Sequence, residues 1–338
     1  METLNSNRIY KLDNIKFFLI IFVVIGHIAD YFADMDRNVA IMRFIIYTFH
    51  MPAFIFISGL LGKRNIKEKR YLNIFSYLTV YLFIKILQFA LDYFPDKKVP
   101  SFTLFADMST PWYIFALFGF SLITIAIDKI SPRYILILSI IIGCLAGYDK
   151  TLGDEFVLLR ILVYYPFYYA GYLSDPAKVC NFTSKKKLIP AALAIIAALI
   201  SVSVIFYDKI YKIKFIFTGR NPYSAVYDNC YYGFALRLIC YAVSTLVIFA
   251  LFVLIPEKIG KGFLSKIGSN TLQIYALHLP IANFVLRLLN KKLMFEKMET
   301  FVLFILILTL TFVITAFCAL PFWKKVFKVI TRIPLKEE

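Results

Sequence analysis

Charged residues are scarce in this chain of 338 residues: Asp, Glu, Lys and Arg together make up only 17% of it. A soluble domain carries about 25% charged and about 45–50% apolar residues. Here 60% of the residues are hydrophobic and the mean hydropathy is +0.74. A single water-soluble core could not bury that much apolar surface, so lipid must be the solvent for most of the chain. The composition therefore excludes a soluble domain.

Cysteine is rare too, with five residues and no CxxC spacing. Three of the five lie inside apolar runs, so neither a disulfide framework nor a structural zinc site is indicated, and no metal site is predicted. The net charge of +17 is of the kind found in proteins that bind nucleic acid. However, Lys and Arg collect in short loops between apolar segments, where they set membrane topology. We therefore expect no nucleic-acid partner.

Internal repeats, low-complexity tracts and a second domain are also missing; instead, ten apolar runs of helix-spanning length follow one another. They are Asn14–Tyr31, Ile41–Leu61, Leu72–Leu91, Pro111–Ile127, Pro132–Gly147, Phe156–Leu173, Leu188–Phe206, Tyr231–Ile255, Ile267–Leu289 and Phe301–Phe322. The first run has no small-residue cleavage motif after it, which indicates a retained helix rather than a signal peptide. These runs predict an all-α polytopic integral membrane protein of about ten transmembrane helices, forming a single membrane-embedded domain over residues 1–338.

Lysine and arginine are divided unequally between alternate loops. With the N-terminus inside, the cytoplasmic loops carry about twice as many of them as the opposite set, which places both termini in the cytoplasm. The longest extracytoplasmic loop, residues 208–230, is polar and aromatic. It is the best candidate for contact with something outside the cell.

All three histidines, His27, His50 and His278, lie within apolar runs, where ionisable groups are costly and usually face a cavity or a partner. A rise of about 1.5 Å per residue places them in the middle or outer half of a hydrocarbon core about 30 Å thick. One such histidine often only hydrogen-bonds a neighbouring helix. Three at similar depth point to proton-transfer chemistry or a polar pathway. Zinc ligation is disfavoured, because there is no HExxH motif and no acidic residue is expected at their depth.

Other charged residues are expected near the two ends of the helices. Asp13 and Lys16 share one helix face with His27, but Asp13 lies about 21 Å from that histidine along the axis. Together with Arg8 they are expected to shape a cytoplasmic mouth that holds phosphates, although positive-inside anchoring also explains Arg8. Near the outer end, Arg160 and its tyrosine cluster either line a sugar-binding cleft or snorkel to the headgroups.

Several motifs resemble acyltransferase family 3, in particular its fucose 4-O-acetylase-like branch of bacterial membrane O-acetyltransferases. Helix 1 carries Leu12-Asp13-Asn14-Ile15-Lys16 and then Val23-Val24-Ile25-Gly26-His27, and helix 2 carries Phe49-His50-Met51-Pro52 followed by Ser58-Gly59. Three weaker matches follow in the same order as in the family. These matches are Pro111-Trp112-Tyr113, Arg160 leading into Tyr165-Pro166-Phe167 and Gly171-Tyr172, and Ile267-Gly268-Ser269-Asn270 leading into Tyr275 and His278. The resemblance covers essentially the whole chain.

The resemblance implies ten membrane helices, acyl-CoA as the donor on the cytoplasmic side and a carbohydrate acceptor. It implies His27 and His50 as the catalytic residues, with Asp13 and Lys16 in the motif of helix 1. The expected carbohydrate-binding residues are Arg160, Tyr165, His278 and Trp112, although Trp112 also suits an interfacial anchor. Acetyl-CoA is the expected donor substrate, no cofactor is expected to stay bound, and the expected location is the bacterial cytoplasmic membrane.

The chemistry expected of such a site is general-base catalysis. Neutral His27 would deprotonate a sugar hydroxyl that attacks the thioester carbonyl, while His50 would orient the substrate or stabilise the oxyanion. A transient acyl-histidine is an alternative route. A polysaccharide or lipid-linked sugar exporter would also explain intramembrane His and Arg, but the sequence lacks the paired interrupted helices of many transporters. A purely structural subunit is the third possibility.

Overall fold

The computed structural model describes residues 9–96, 99–100, 102–106, 111–227, 230–257, 267–293, 295 and 298–331. Within these ranges the chain is helical, and the only β-type pairing is an isolated bridge between Ala106 and Glu155. The helices are α1 Tyr10–Phe32, α2 Arg37–Tyr47, α3 His50–Lys67, α4 Tyr71–Asp96, α5 Trp112–Ala126, α6 Pro132–Leu145, α7 Leu158–Leu173, α8 Pro176–Thr183, α9 Ile189–Ile205, α10 Tyr207–Ile210, α11 Lys214–Phe217, α12 Gly233–Leu254, α13 Thr271–Leu293, α14 Thr300–Cys318 and α15 Pro321–Ile330.

Each of the ten predicted apolar runs overlaps at least one of these helices. In the described part of the chain, seven spans are long and apolar enough to cross a membrane, with α2 and α3 counted as one span. Helices α5 and α6 are shorter and apolar. Helix α7 is also short, and most of its residues are buried among its neighbours. The prediction of an all-α, multi-pass membrane protein is confirmed.

The second predicted span, Ile41–Leu61, is not one continuous helix, because Thr48 and Phe49 separate α2 from α3. Pro52 supplies the physical reason. An unbroken helix needs the backbone N–H of residue 52 to donate to the carbonyl of Thr48, and proline has no N–H. The carbonyl of Thr48 instead accepts a hydrogen bond from Ser244 Oγ of α12 at 2.5 Å. As a result, His50 is the first residue of a helix rather than part of its middle.

Helices α3 and α7 pack backbone to backbone at two glycines. A Cβ atom on Gly59 would lie 1.9 Å from the carbonyl oxygen of Tyr168, and one on Gly171 would lie 2.0 Å from that of Phe56. No side chain fits at either point, which is the usual reason for small residues between membrane helices. This close contact sets the position of α3, which carries His50, relative to α7, which carries Arg160.

The outer end of α2 is tied to α14 through the carboxylate of Asp36. This side chain accepts hydrogen bonds from the backbone N–H groups of Asn38 and Val39, as an N-cap residue does, and also from the hydroxyl of Thr300. Burial alone would raise the pKa of Asp36, but these three hydrogen bonds outweigh it and lower the pKa below its usual value.

The predicted outer loop, residues 208–230, is tethered to the bundle through backbone carbonyls. The hydroxyl of Tyr164 in α7 donates to the Phe217 carbonyl at 2.6 Å. The guanidinium of Arg237 in α12 is buried and donates to the carbonyl of Ile216. From the loop itself, the hydroxyl of Tyr223 donates to the carbonyl of Cys144 at 2.6 Å. Helix α11 is thereby held against the outer ends of α7 and α12.

Candidate active site

A cavity of about 610 Å³ lies at the predicted outer end of the bundle. Its walls come from α1–α5, α7, α13 and the part of the outer loop around α11. Four residues that the sequence predicted line this cavity: His27, His50, Arg160 and Trp112. Much of the remaining polar lining was not predicted, including Asp30, Arg43, Tyr47, Lys214, Arg220 and Arg287. The cavity therefore joins the two predicted catalytic histidines to a set of charged groups.

Asp30 is the most informative of the residues that were not predicted. It follows His27 by three residues in α1, so the two side chains are neighbours on the helix surface. Its Oδ2 lies 3.6 Å from Nδ1 of His27. The expectation that no acidic residue lies at the depth of the histidines is therefore wrong; the signal was an acid at position i+3 in an apolar run. A carboxylate on this side favours the proton on Nδ1, which leaves Nε2 of neutral His27 as the basic nitrogen.

Both carboxylate oxygens of Asp30 are held by α2. Arg43 Nη1 donates to Oδ1 at 3.3 Å, and the hydroxyl of Tyr47 donates to Oδ2. Arg43 is only 8% exposed, so its charge depends on this carboxylate for compensation. Tyr47 also links the two histidines, since its ring centroid is 6.3 Å from that of His27 and 4.9 Å from that of His50. Asp30 is thus fixed in place by two partners beside the predicted base.

His50 begins α3, and its ring is anchored to the last turn of α2. Nδ1 lies 2.8 Å from the carbonyl oxygen of Ile46. Because a carbonyl can only accept a hydrogen bond, Nδ1 carries the proton, and Nε2 of the neutral ring is an acceptor. This arrangement suits orientation of a substrate hydroxyl. It does not suit stabilisation of an oxyanion, which requires a donor.

His278 lies against His27 but does not line the cavity. The two ring centroids are 5.3 Å apart, and His278 is fully buried. Its Nδ1 lies 2.8 Å from the Tyr275 carbonyl oxygen and 3.1 Å from that of Ile274. Its Nε2 has no hydrogen-bond partner among the described residues. The structure therefore brings all three histidines together, with His278 packed on the protein side of His27.

Arg160 and Trp112 form one wall of the cavity. The guanidinium of Arg160 lies 4.8 Å from the Trp112 ring centroid, and the Tyr164 ring stacks on that tryptophan at 5.5 Å. Tyr164, rather than the predicted Tyr165, lines the cavity. Tyr165 lies on another side of α7, where its hydroxyl pairs with Thr124 Oγ1 at 3.0 Å. The one-residue difference follows from the 100° rotation per residue of an α-helix.

Helix α7, which carries Arg160, is preceded by two residues with an unusual backbone conformation. Phe156 and Val157, the two residues before α7, have φ values of 49° and 56°. Such left-handed conformations are uncommon for residues other than glycine, and they cost about 1–3 kcal/mol each. The turn is secured by a hydrogen bond from the Phe156 N–H to the Phe105 carbonyl oxygen at 2.7 Å. Strain of this kind is often found at functional sites.

The predicted cytoplasmic mouth lies at the opposite end of α1. Lys16 Nζ and Asp13 Oδ1 form an ion pair at 2.9 Å, and Asp13 is buried. A Cβ atom on Gly268 would lie 1.9 Å from the carbonyl oxygen of Asp13, so these backbones are in close contact. Neither Asp13 nor Lys16 lines the outer cavity. Arg8, the third residue predicted here, lies outside the described residues.

The outer loop and α13 add further cations to the cavity. Arg220 donates through two nitrogens to Asp154, at 2.8 Å each, and Arg287 pairs with Asp92 at 2.9 Å. Lys214 has no carboxylate within 4.0 Å in the part of the chain that the structure describes. Burial and the neighbouring Arg43 lower the pKa of the Lys214 amine.

Three or more His, Cys, Asp or Glu side chains do not converge in a metal-binding arrangement anywhere in the described ranges. The chemistry available at the cavity is that of a histidine base with an orienting carboxylate, surrounded by cationic and aromatic side chains.

Comparison with known proteins places the chain in a family. A family model described as an acyltransferase domain, acyltransferase family 3, matches residues 9–322. No curated protein and no solved structure matches the chain. The family match covers nearly all of the described helices, including every element that lines the outer cavity up to α13.

Proposed function

This chain belongs to acyltransferase family 3 and is a membrane acyltransferase, and on that premise we propose that it moves an acyl group, most simply acetyl, from acyl-CoA to a carbohydrate hydroxyl. The observation that carries the proposal is His27 lining a cavity of about 610 Å³ with Asp30 3.6 Å behind its Nδ1. A base with an orienting carboxylate is what deprotonation of a hydroxyl requires. An exporter has no need of it.

In the proposed reaction, Nε2 of His27 takes the proton from the acceptor hydroxyl as its oxygen attacks the thioester carbonyl carbon. The C–O bond forms, the C–S bond breaks, and the CoA thiolate leaves. The imidazolium of His27 then returns its proton to that thiolate, so the enzyme ends in its starting state. His50 accepts a hydrogen bond from the acceptor and orients it, while the cationic wall containing Arg160 stabilises the negative charge that develops on the carbonyl oxygen.

Asp30 takes part as a positioning residue rather than as a catalytic residue. It holds His27 with the proton on Nδ1 and stabilises the imidazolium while that is present. Arg43 and Tyr47 keep Asp30 in place. His278 supports the ring of His27 from the protein side, so its predicted role in carbohydrate binding is less favoured by its position.

The donor is proposed to enter from the cytoplasmic side, beside the Asp13–Lys16 pair. Lys16 and His27 are separated by eleven residues of α1. This corresponds to about 16 Å along the helix, so the thioester must reach the histidines from a nucleotide bound near the inner surface. The proposal also takes residues 1–338 as one membrane-embedded domain in the bacterial cytoplasmic membrane. Residues 208–230 are its extracytoplasmic loop, and the proposed branch of the family is the fucose 4-O-acetylase-like one.

The test is transfer of labelled acetyl from acetyl-CoA to endogenous glycan in isolated membranes. Wild type, His27→Ala and a control, Asn38→Ala, are compared at equal protein level; Asn38 is exposed at the start of α2. We expect label with wild type and the control, and none with His27→Ala. Equal labelling by all three membranes would show that the reaction does not require His27. Labelling by none of them would reject acetyl-CoA as the donor.

A further inference from the structure

The lining of the outer cavity carries more positive than negative charge. Five cationic side chains line it, Arg43, Arg160, Lys214, Arg220 and Arg287, against two carboxylates, Asp30 and Asp92. A third carboxylate, Asp154, accepts two hydrogen bonds from Arg220. Five cations against three carboxylates leave an excess of two positive charges around a space large enough for a sugar. Such an excess in a partly desolvated cleft attracts and holds anions.

Lys214, where the outer loop meets α2, has no carboxylate within 4.0 Å among the described residues. Arg287, Arg220 and Arg43 each have one within 3.3 Å, and Arg160 shares Asp154 with Arg220 at 4.0 Å. The amine of Lys214 instead lies 5.0 Å from the ring centroid of Phe215. Burial lowers the pKa of the Lys214 amine most, the positive charge of Arg43 lowers it further, and the carboxylates of Asp34 and Asp30 act in the opposite direction.

Arg43 faces the same region with an unsatisfied group. Its Nη1 donates to Asp30, but its Nε is buried and has no hydrogen-bond partner within the described ranges. A buried guanidinium nitrogen without a partner is costly, and an oxyanion is the ligand that matches the planar donors of arginine. Lys214 and Arg43 therefore bring two positive charges, and one donor without a partner among the described residues, to the same part of the cavity.

We propose that the acceptor carries an anionic group, a phosphate or a carboxylate, which binds between Lys214 and Arg43 while its reacting hydroxyl lies at His27. This inference rests on the proposed function and names its substrate class. The anion is assigned to the acceptor rather than to the donor because Lys214 belongs to the predicted extracytoplasmic loop. The phosphates of acyl-CoA are expected at the other end of α1. A neutral sugar would leave the excess charge of the cavity uncompensated.

The experiment measures binding to the purified full-length protein without any donor present. Glucose 6-phosphate and glucuronate serve as anionic probes, and glucose serves as the neutral probe. The variants are Lys214→Gln, Lys214→Arg and the control Lys212→Gln, because Lys212 is exposed on the same loop and does not line the cavity. Adenosine 3′,5′-bisphosphate represents the phosphates of the donor.

We expect wild type to bind an anionic probe at least tenfold more tightly than glucose, with an affinity that falls as salt is added. Lys214→Gln should weaken binding of that anionic probe about tenfold and leave glucose binding unchanged. Lys214→Arg should bind the anionic probe as wild type does, and so should the control Lys212→Gln. Equal affinity for glucose and both anionic probes overturns the proposal. So does an effect of Lys214→Gln on adenosine 3′,5′-bisphosphate alone, which would assign the anion to the donor. Because no acyl transfer is needed, this test can fail while the labelling of glycan succeeds, and the reverse also holds.

Discussion

Replacing Asp30 with asparagine tests the central feature of the cavity with little change in shape. The amide retains hydrogen-bonding groups for Arg43 and Tyr47 but loses the negative charge that faces Nδ1 of His27. Without that charge, the imidazole is free to carry its proton on Nε2, where it cannot act as a base. We therefore expect Asp30→Asn to slow the reaction without weakening substrate binding to the same degree.

The size of the effect follows from the geometry. General-base catalysis contributes about 10²–10⁴-fold, and loss of the orienting carboxylate in a serine-protease triad costs about 10⁴-fold in kcat. Here the side chain of Asp30 is 40% exposed, so water can replace part of its interaction with His27. We therefore expect the lower end of the range, about a 100-fold loss in kcat, or about 2.7 kcal/mol of activation free energy.

The assay is the initial rate of acetyl transfer in membranes as a function of acetyl-CoA concentration, which separates kcat from KM. Asp92→Asn is the matched control, since it removes a carboxylate from the same lining, where it pairs with Arg287. Its loss in kcat should be far smaller than that of Asp30→Asn. Tyr47→Phe keeps the carboxylate and removes one of its partners, so an intermediate loss is expected. Thermal unfolding of each variant reports whether the protein remains folded, because Asp30→Asn also leaves Arg43 without its counter-charge.

A folded Asp30→Asn variant that keeps more than about a third of the wild-type kcat, while His27→Ala is inactive, would refute an orienting role for Asp30. In that case His27 would work without an orienting carboxylate. Equal losses for Asp30→Asn and Asp92→Asn would show that cavity charge matters rather than the contact with His27.

Three further predictions concern the scaffold. Gly59→Ala would bring a Cβ atom to within 1.9 Å of a backbone carbonyl oxygen and should lower the thermal unfolding temperature by several degrees. Gly62→Ala, whose Cβ atom would meet only the Tyr168 hydroxyl at 3.2 Å, should be tolerated better. Tyr164→Phe removes a loop tether worth about 0.5–1.5 kcal/mol and should speed tryptic cleavage of residues 208–230; Tyr165→Phe, its neighbour away from the cavity, should not. Because the pKa of Asp36 is lowered in the folded protein, its contribution to stability is present above pH 3.8 and lost as the pH falls through the folded value. The difference in unfolding temperature between wild type and Asp36→Asn should therefore narrow below about pH 4, and a constant difference would contradict this.

Hydrophobicity alone was enough to predict the spans, because lipid solvation imposes long apolar runs irrespective of how the helices pack. The break between α2 and α3 was not predicted, although Pro52 was its visible cause; proline within a membrane helix does not always break it. His27, His50 and Arg160 could be found because intramembrane ionisable residues are few. Asp30 was not predicted, although its position one turn beyond His27 in α1 places it at nearly the same depth. Tyr164 and Tyr165 cannot be distinguished by composition, since only the packing of α7 against α3, α5 and α6 decides which tyrosine faces the cavity.

The tethers of the outer loop have a consequence for how mutation can change the lining of the cavity. Two tethers run from side chains of the bundle, Tyr164 and Arg237, to main-chain carbonyls of the loop, which every amino acid supplies. Substitution of a loop side chain such as Lys214 therefore leaves both tethers in place. The lining of the cavity can change at the loop while the helices that carry the histidines keep their positions.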